Sequence, residues 1–473
     1  MASSQLSLPT AATVTDLNWL LVAQRADTVA RISHAWLGTL ATNVAILACT
    51  LATGVLLARL LEPEGRGALA AVMFWPQLIV GIGLLSLNDG IIFHAHVTQS
   101  DKRVFTTTAL CLGLVLSALT VVLGLILLPH LLGPQHSHLA WMAQVYLVGM
   151  APLTFIDVVS LALDQSDLRF RRSNLVRLIL SHTYLLGLVL LLAFGAVSIA
   201  TALWVYWLGL LLTAAARIAL IRRELATTLC AQDAKAILTA SQRFHRGFLV
   251  FLLGSQADRI VVVTFWDASS IGHYVIAASI ATAGLMSLTY SFQAVLVPRI
   301  AAAAGNAERK VWLVRGLRFS NVLIGLSALG LAAVVSWLVP LMYGDSFAPA
   351  VVPAVILALG GWPLALRQII MRCLRAFGES GIAVIAESIA LLGFLALVWP
   401  LSGLLGLSGI ALSMAAANLI ALIYLAAALQ WRFGLSFMQW HGFDAVALAG
   451  LLQAFTSALK LRKEQDARAR PTP

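Results

Sequence analysis

Leu56-Leu57-Ala58-Arg59-Leu60-Leu61-Glu62-Pro63-Glu64-Gly65-Arg66-Gly67-Ala68 has a counterpart in the second half of the chain. With Gly67 set over Gly272, an offset of 205 residues, Leu61–Gly67 lies over Trp266-Asp267-Ala268-Ser269-Ser270-Ile271-Gly272 without a gap. Each piece carries an acid near its start and a glycine at its close, and each stands between two long apolar runs. That pattern reads as the tight turn joining the first and second membrane spans of a half, with glycine where a Cβ would obstruct the next helix. The same offset sets Asn88 on Gln293 and His94 on Arg299. The chain is therefore expected to be a duplication, with two halves in the same orientation about an axis along the membrane normal. Transporters built from repeats hold substrate at the interface between them.

The apolar runs outside these turns supply the spans. A bilayer core of about 30 Å takes roughly 20 apolar residues as helix. Runs of that length fall at 37–57, 68–96, 105–128, 139–163, 175–195 and 197–217, then at 247–267, 271–297, 314–340, 350–372, 380–400 and 407–430. The expected fold is an all-α integral membrane protein of about twelve transmembrane helices in two six-helix bundles. Its expected divisions are a cytoplasmic segment 1–36, a bundle 37–217, a linker 218–246, a bundle 247–430, and a terminal segment 431–473. That last segment reads as an interfacial amphipathic helix over 431–459, followed by a basic cytoplasmic tail. The run Leu17–Val22 reads as a separate surface helix rather than a cleavable signal.

Charge orients the spans. Nearly all of the 31 Lys and Arg fall at the N-terminus, in the even-numbered loops and the span ends beside them, or in the tail, with Arg59 and Arg66 in the first opposite loop and Arg259 in the middle of a span. Short basic loops stay cytoplasmic, which predicts an even number of spans with both termini inside, in the bacterial inner membrane. Composition agrees: 60% of residues are hydrophobic, 11% are charged and mean hydropathy is +0.92. The net charge of +11 reports this orientation beside anionic lipid, not nucleic-acid binding. Four isolated cysteines suggest neither a disulfide framework nor a metal site. No cofactor is implied, no G-x-x-x-x-G-K-[ST] phosphate loop occurs, and no opposite-face loop is long enough for a catalytic domain. The chain reads as a transporter and not an enzyme.

Particular stretches carry a family resemblance. LLARLLEPEGRGALAAV (Leu56–Val72) looks like the first hairpin of polysaccharide transporters in the multidrug/oligosaccharidyl-lipid/polysaccharide flippase superfamily, which is MATE-like in fold. DRIVVVTFWDASSIGHYVIAASI (Asp258–Ile280), SFQAVLVPRIA (Ser291–Ala301) and the run Leu341–Glu387 resemble its spans seven to eleven. The resemblance covers most of 37–430, and it implies flipping of undecaprenyl-diphosphate-linked oligosaccharide by alternating access. Membrane lipids, a polysaccharide polymerase and chain-length or export proteins are its implied partners. The chain departs from the family turn, Gly-Pro-Glu-Gly-Tyr-Gly, by placing Glu62 and Arg66 where Gly and Tyr are usual. A drug/cation antiporter of the same superfamily, and a membrane-embedded glycan polymerase or ligase, are the competing readings.

Polar groups inside the bilayer are costly unless they face a wet cavity or a partner, so they nominate the site. Asp258 and Arg259, near the middle of span seven, point about 100° apart. One reading makes them a structural ion pair between helices, and the other puts Arg259 on the diphosphate or an acidic sugar. Arg177 and Arg367, near the inner ends of spans five and ten, either snorkel to headgroups or collect a diphosphate bidentately. Asn88 and Gln293 are polar positions related by the repeat. Asp89, Asp157 and Glu387 are candidate proton or cation coupling groups, or satisfied contacts between helices.

Overall fold

The computed structural model describes residues 14–98 and 100–442. Apolar runs free of turn residues become helices throughout, and no strand occurs among the described residues. In chain order the helices are α1 (Val14–Gly83), α2 (Leu87–Ala95), α3 (Lys102–Leu131), α4 (Ala140–Ser166), α5 (Phe170–Ala193), α6 (Ile199–Ile221) and α7 (Ala231–Phe265). They continue as α8 (Ala268–Ala302), α9 (Asn306–Tyr343), α10 (Val351–Ala376), α11 (Ser380–Leu405), α12 (Leu407–Phe433) and the short α13 (Phe437–His441).

Eleven stretches among the described residues are long and apolar enough to cross a membrane, and the first, Ala41–Ala95, holds 55 residues. At 1.5 Å per residue it would be about 80 Å long, far beyond one bilayer core. It doubles back at Glu62, where the backbone leaves the helix (φ 56°, ψ 179°). Thr39 accepts a hydrogen bond from Asn174 at the basic end of α5, whereas Arg59 donates to the carbonyls of Leu341 and Met342 at the opposite end. The stretch thus makes two crossings, and the protein is a multi-pass membrane protein with twelve crossings among the described residues.

Several expectations change in detail. Helix α1 starts at Val14, so 14–36 prolong the first span as one helix instead of forming a separate one. The second span, expected as one run over 68–96, breaks at 84–86, where Leu85 (φ 48°) and Ser86 (φ 55°) adopt left-handed backbone without being glycine. Its inner piece, α2, is drawn to α7: His94 bonds Asp233 at 2.9 Å, Thr98 donates to Asp233 at 2.8 Å, and Ser86 meets His245 at 3.4 Å. No glycine or proline stands at 84–86 to mark the break in sequence. The latter part of linker 218–246 is helical, because α7 runs unbroken from Ala231 into the membrane-crossing segment. After α12 the chain turns at Gly434 (φ 68°), and α13 folds back onto α9, where Arg318 and Asn321 donate to the carbonyls of Gln439 and His441 and Trp440 is fully buried. The expected interfacial helix does not start at 431, and its remainder, with the basic tail, lies outside the described residues.

Core packing shows how the two bundles meet. Away from the basic loops one apolar core runs through both halves, joining Leu69 and Val72 to Ile271, Tyr274, Tyr343 and Phe347. Toward the basic end the core divides. One cluster, with Leu87, Phe105, Val159 and Ile221, belongs to the first half and takes in Ile237 from the start of α7, and another, with Leu313, Ile369 and Leu425, belongs to the second.

Candidate functional site

The duplicated turns lie against one another. A Cβ on Gly67 would stand 1.6 Å from the carbonyl oxygen of Ala268, and one on Gly272 would stand 2.1 Å from that of Pro63. Pro63 and Ala268 are themselves related by the 205-residue offset, so the contact is reciprocal, as a pseudo-twofold axis between the halves requires. Glycine is needed here for approach to the other half, not for entry of its own helix. His136, from the α3–α4 connection, meets the Trp266 carbonyl at 2.9 Å, and Arg59 adds its bonds to the α9 end. These contacts seal one end of the interface, while the basic ends carry separate cores.

Beneath the seal, the second arm of α1 exposes a stripe. Arg66, Ala70, Met73, Gln77 and Gly81 recur at helical spacing and are all at least partly open, between buried Leu69, Val72, Leu78 and Val80. Arg66, expected in a loop, stands in the first helical turn of that arm. Its Nε is buried with no hydrogen-bond partner, and Tyr184, Tyr343 and Arg259 are its electrostatic neighbours. Arg259 is half-buried across the interface on α7, and its guanidinium donates to the Gln256 side-chain carbonyl at 3.3 Å. Neither guanidinium has an ion-pair partner among the described residues. A cavity of about 70 Å³ adjoins Arg259 in the second half, lined also by Ser255, Asp258, Gly361 and Asn418. Two unpaired cations at membrane depth make this region ready for an anion, because an uncompensated charge there is costly.

The other expected residues divide into three groups. Asp258 does not pair with Arg259 through its side chain: its carboxylate accepts from the Arg259 backbone N–H and from the Tyr274 hydroxyl, both at 2.8 Å. Arg367 and Glu387, read separately from sequence, are partners at 2.7 Å across α10 and α11, both almost wholly buried. Asp157 belongs to a network at the basic end. Arg217, with no exposed surface, reaches Asp157 at 2.8 Å and Asp164 at 3.0 Å, and Arg172 takes the other Asp164 oxygen at 3.0 Å. Arg177 donates to Asn43 at 3.1 Å, joining α5 to the first arm of α1. Exposed Asp89 accepts from Asn88 at 3.3 Å, and Arg372 of the second half is its charged neighbour across the basic end. Gln293 is buried on α8. Sequence reasoning missed Arg66, Arg217 and Arg372. The departure of Arg66 from the family turn was the one available signal.

Comparison with known proteins places this arrangement. A family model described as polysaccharide biosynthesis protein matches residues 56–352. The chain belongs to the polysaccharide biosynthesis protein family. Among curated proteins none matches this family member in sequence. Among solved structures it is similar to the lipid II flippase MurJ in an inward closed conformation, with a TM-score of 0.72, 17% identity, and coverage of 90% of this chain and 92% of that one. It is also similar to an inward-facing multidrug resistance MATE transporter of the MOP superfamily, with a TM-score of 0.69, 15% identity, and coverage of 82% and 94%. A MOP superfamily transporter from Pyrococcus furiosus, whose binding pocket has reverse polarity, gives a TM-score of 0.57 at 13% identity, over 86% and 95% of the chains. At these identities the likeness is one of fold, and the fold is MATE-like.

Proposed function

We propose that this protein is a flippase that moves an undecaprenyl-diphosphate-linked oligosaccharide from the inner to the outer leaflet of the bacterial inner membrane. It would serve exopolysaccharide, capsule or O-antigen assembly, with both termini cytoplasmic and with the polymerase and chain-length or export proteins downstream. One observation carries the reading: Arg66 and Arg259 stand unpaired on facing halves, beneath a seal at the end away from the basic loops. With the basic end cytoplasmic, that chamber opens inward and is positive. It would take the glycan and diphosphate while the prenyl chain stays in lipid. Opening the Gly67–Gly272 contact while closing the basic end, where Asp89 faces Arg372, would release the glycan outside. No bond is made or broken, so no catalytic residue is assigned. The same cations count against a drug/cation antiporter, whose ligand they would repel.

Deleting the gene and locating the accumulated lipid-linked sugar tests the proposal. Accumulation in the inner leaflet, reversed when purified protein is reconstituted into vesicles, is the expected result. Accumulation in the outer leaflet would move the step to polymerisation, and unchanged sugar with altered drug sensitivity would favour the antiporter.

A further inference from the structure

The first-half wall of the chamber holds a group of side chains that a diphosphate does not need. Gln77 lies eleven positions beyond Arg66, about three turns and ~16 Å along the same helix face. It is exposed although it sits deep within a crossing. An amide open to lipid at that depth would be unsatisfied, so this face is wet. Its Nε2 donates to the Tyr146 hydroxyl at 3.3 Å. The Tyr146 and Tyr206 ring centroids are 6.1 Å apart, and Tyr184 stands edge-to-face on Tyr206 at 5.2 Å. Tyr184 is in turn an electrostatic neighbour of Arg66. Four elements, the second arm of α1 with α4, α5 and α6, thus bring together an amide, three phenols and an unpaired guanidinium.

We propose that this wall is a subsite for an acidic pyranose, a sugar ring carrying a carboxylate. Arg66 grips the carboxylate with its planar fork. Gln77 and the Tyr184 hydroxyl bond ring hydroxyls, and the partly exposed edges of Tyr184 and Tyr206 pack on the sugar's C–H surface, as amphipathic aromatic rings do. Position separates this site from Arg259. In a chamber open toward the basic end the glycan enters ahead of its lipid-borne diphosphate, so the cation at the sealed end meets sugar. The assignment rests on the reading of this chamber as that of a glycan carrier.

The full chain in lipid nanodiscs can be titrated with three probes: a glucuronosyl-glucose disaccharide, its neutral counterpart cellobiose, and inorganic pyrophosphate. Wild-type protein should bind the glucuronate disaccharide at least about ten-fold more tightly than cellobiose, the scale of a charge-assisted hydrogen bond. Arg66→Gln should bring the two disaccharides to parity, Arg66→Lys should leave part of the preference, and Tyr206→Leu should weaken both disaccharides alike. Pyrophosphate should still bind Arg66→Gln and be lost from Arg259→Gln. Monodisperse elution and an unchanged melting temperature show that each variant is folded, and Arg66→Lys serves should Arg66→Gln fail that check. A wild type that does not distinguish the disaccharides, or a folded Arg66→Gln protein that still does, overturns the subsite. If Arg66→Gln loses pyrophosphate together with glucuronate, the two arginines form one diphosphate site, so the acidic-sugar assignment falls while the carrier reading stands. Wild-type protein that binds none of the three probes overturns both.

Discussion

Adding one methyl group at Gly67 should turn the chamber over. In Gly67→Ala the new Cβ would stand 1.6 Å from the Ala268 carbonyl oxygen and 2.7 Å from the Gly272 nitrogen, where ordinary contact begins at 3.4 Å. About 1.8 Å of separation is therefore needed at this point, and the obstructing atoms are backbone, which cannot rotate away. The separation also strains the Arg59 bonds to Leu341 and Met342, at 2.5 and 2.7 Å. Overpacking of this kind costs about 1–3 kcal/mol, charged only to the sealed state because the contact is absent once the halves part. The equilibrium should shift about 5- to 150-fold toward opening at that end. A cysteine at Ala70, one turn below Arg66 on the chamber face, reports the change once the four native cysteines are replaced by serine. A membrane-impermeant maleimide added outside should label Ala70→Cys slowly with Gly67 and rapidly with Gly67→Ala, and export should fall. The reasoning is refuted if Gly67→Ala exports at the wild-type rate and Ala70→Cys stays closed to the reagent. Gly272→Ala should behave alike, since its Cβ would meet the Pro63 carbonyl at 2.1 Å.

Glu387→Gln leaves Arg367 charged and buried without its partner, so the melting temperature should drop by the equivalent of about 3–5 kcal/mol, and the double change Arg367→Met, Glu387→Leu should recover most of it. Unchanged melting with lost transport would instead make Glu387 a coupling group. Arg259→Lys should insert normally yet export poorly, because it keeps charge without the bidentate fork, while Arg259→Ala should export nothing; full export with Lys would remove the anion-gripping role. Asp267 caps α8 by accepting from the Ser270 backbone N–H at 3.3 Å. Burial pushes its carboxyl up, but bonds from Ser270 and neighbouring amides outweigh that and hold it below the ordinary value. Its stabilisation is thus complete above about pH 4 and lost as pH falls through the lower folded value. Asp267→Ala should cost about 1 kcal/mol near neutrality, a difference that thermal melts should show vanishing in acid. Cysteine labelling from outside should reach Gln135 and Asp345 and miss Arg223; the reverse would invert the orientation.

The sequence by itself determined the crossings, the duplication and the family, because each rests on properties that local residues carry. A run of some twenty apolar residues must be helical in lipid, and seven residues repeated at a fixed offset are visible wherever they fold. The partners of the polar groups are another matter. Arg367 and Glu387 are twenty residues apart and Arg217 and Asp157 sixty, and only helix packing shows that these acids are already satisfied. Arg66 looked like a loop residue because it lies within a run of six polar or small positions, Glu62–Gly67. The backbone reverses at the single residue Glu62, which carries Arg66 into the first turn of a helix and sends its side chain under the seal. The break at Leu85–Ser86 left no mark either, since contacts with α7 hold two ordinary residues in left-handed backbone. Periodicity records which face of a helix is apolar, whereas which charge remains unpaired depends on the neighbour that tertiary packing supplies.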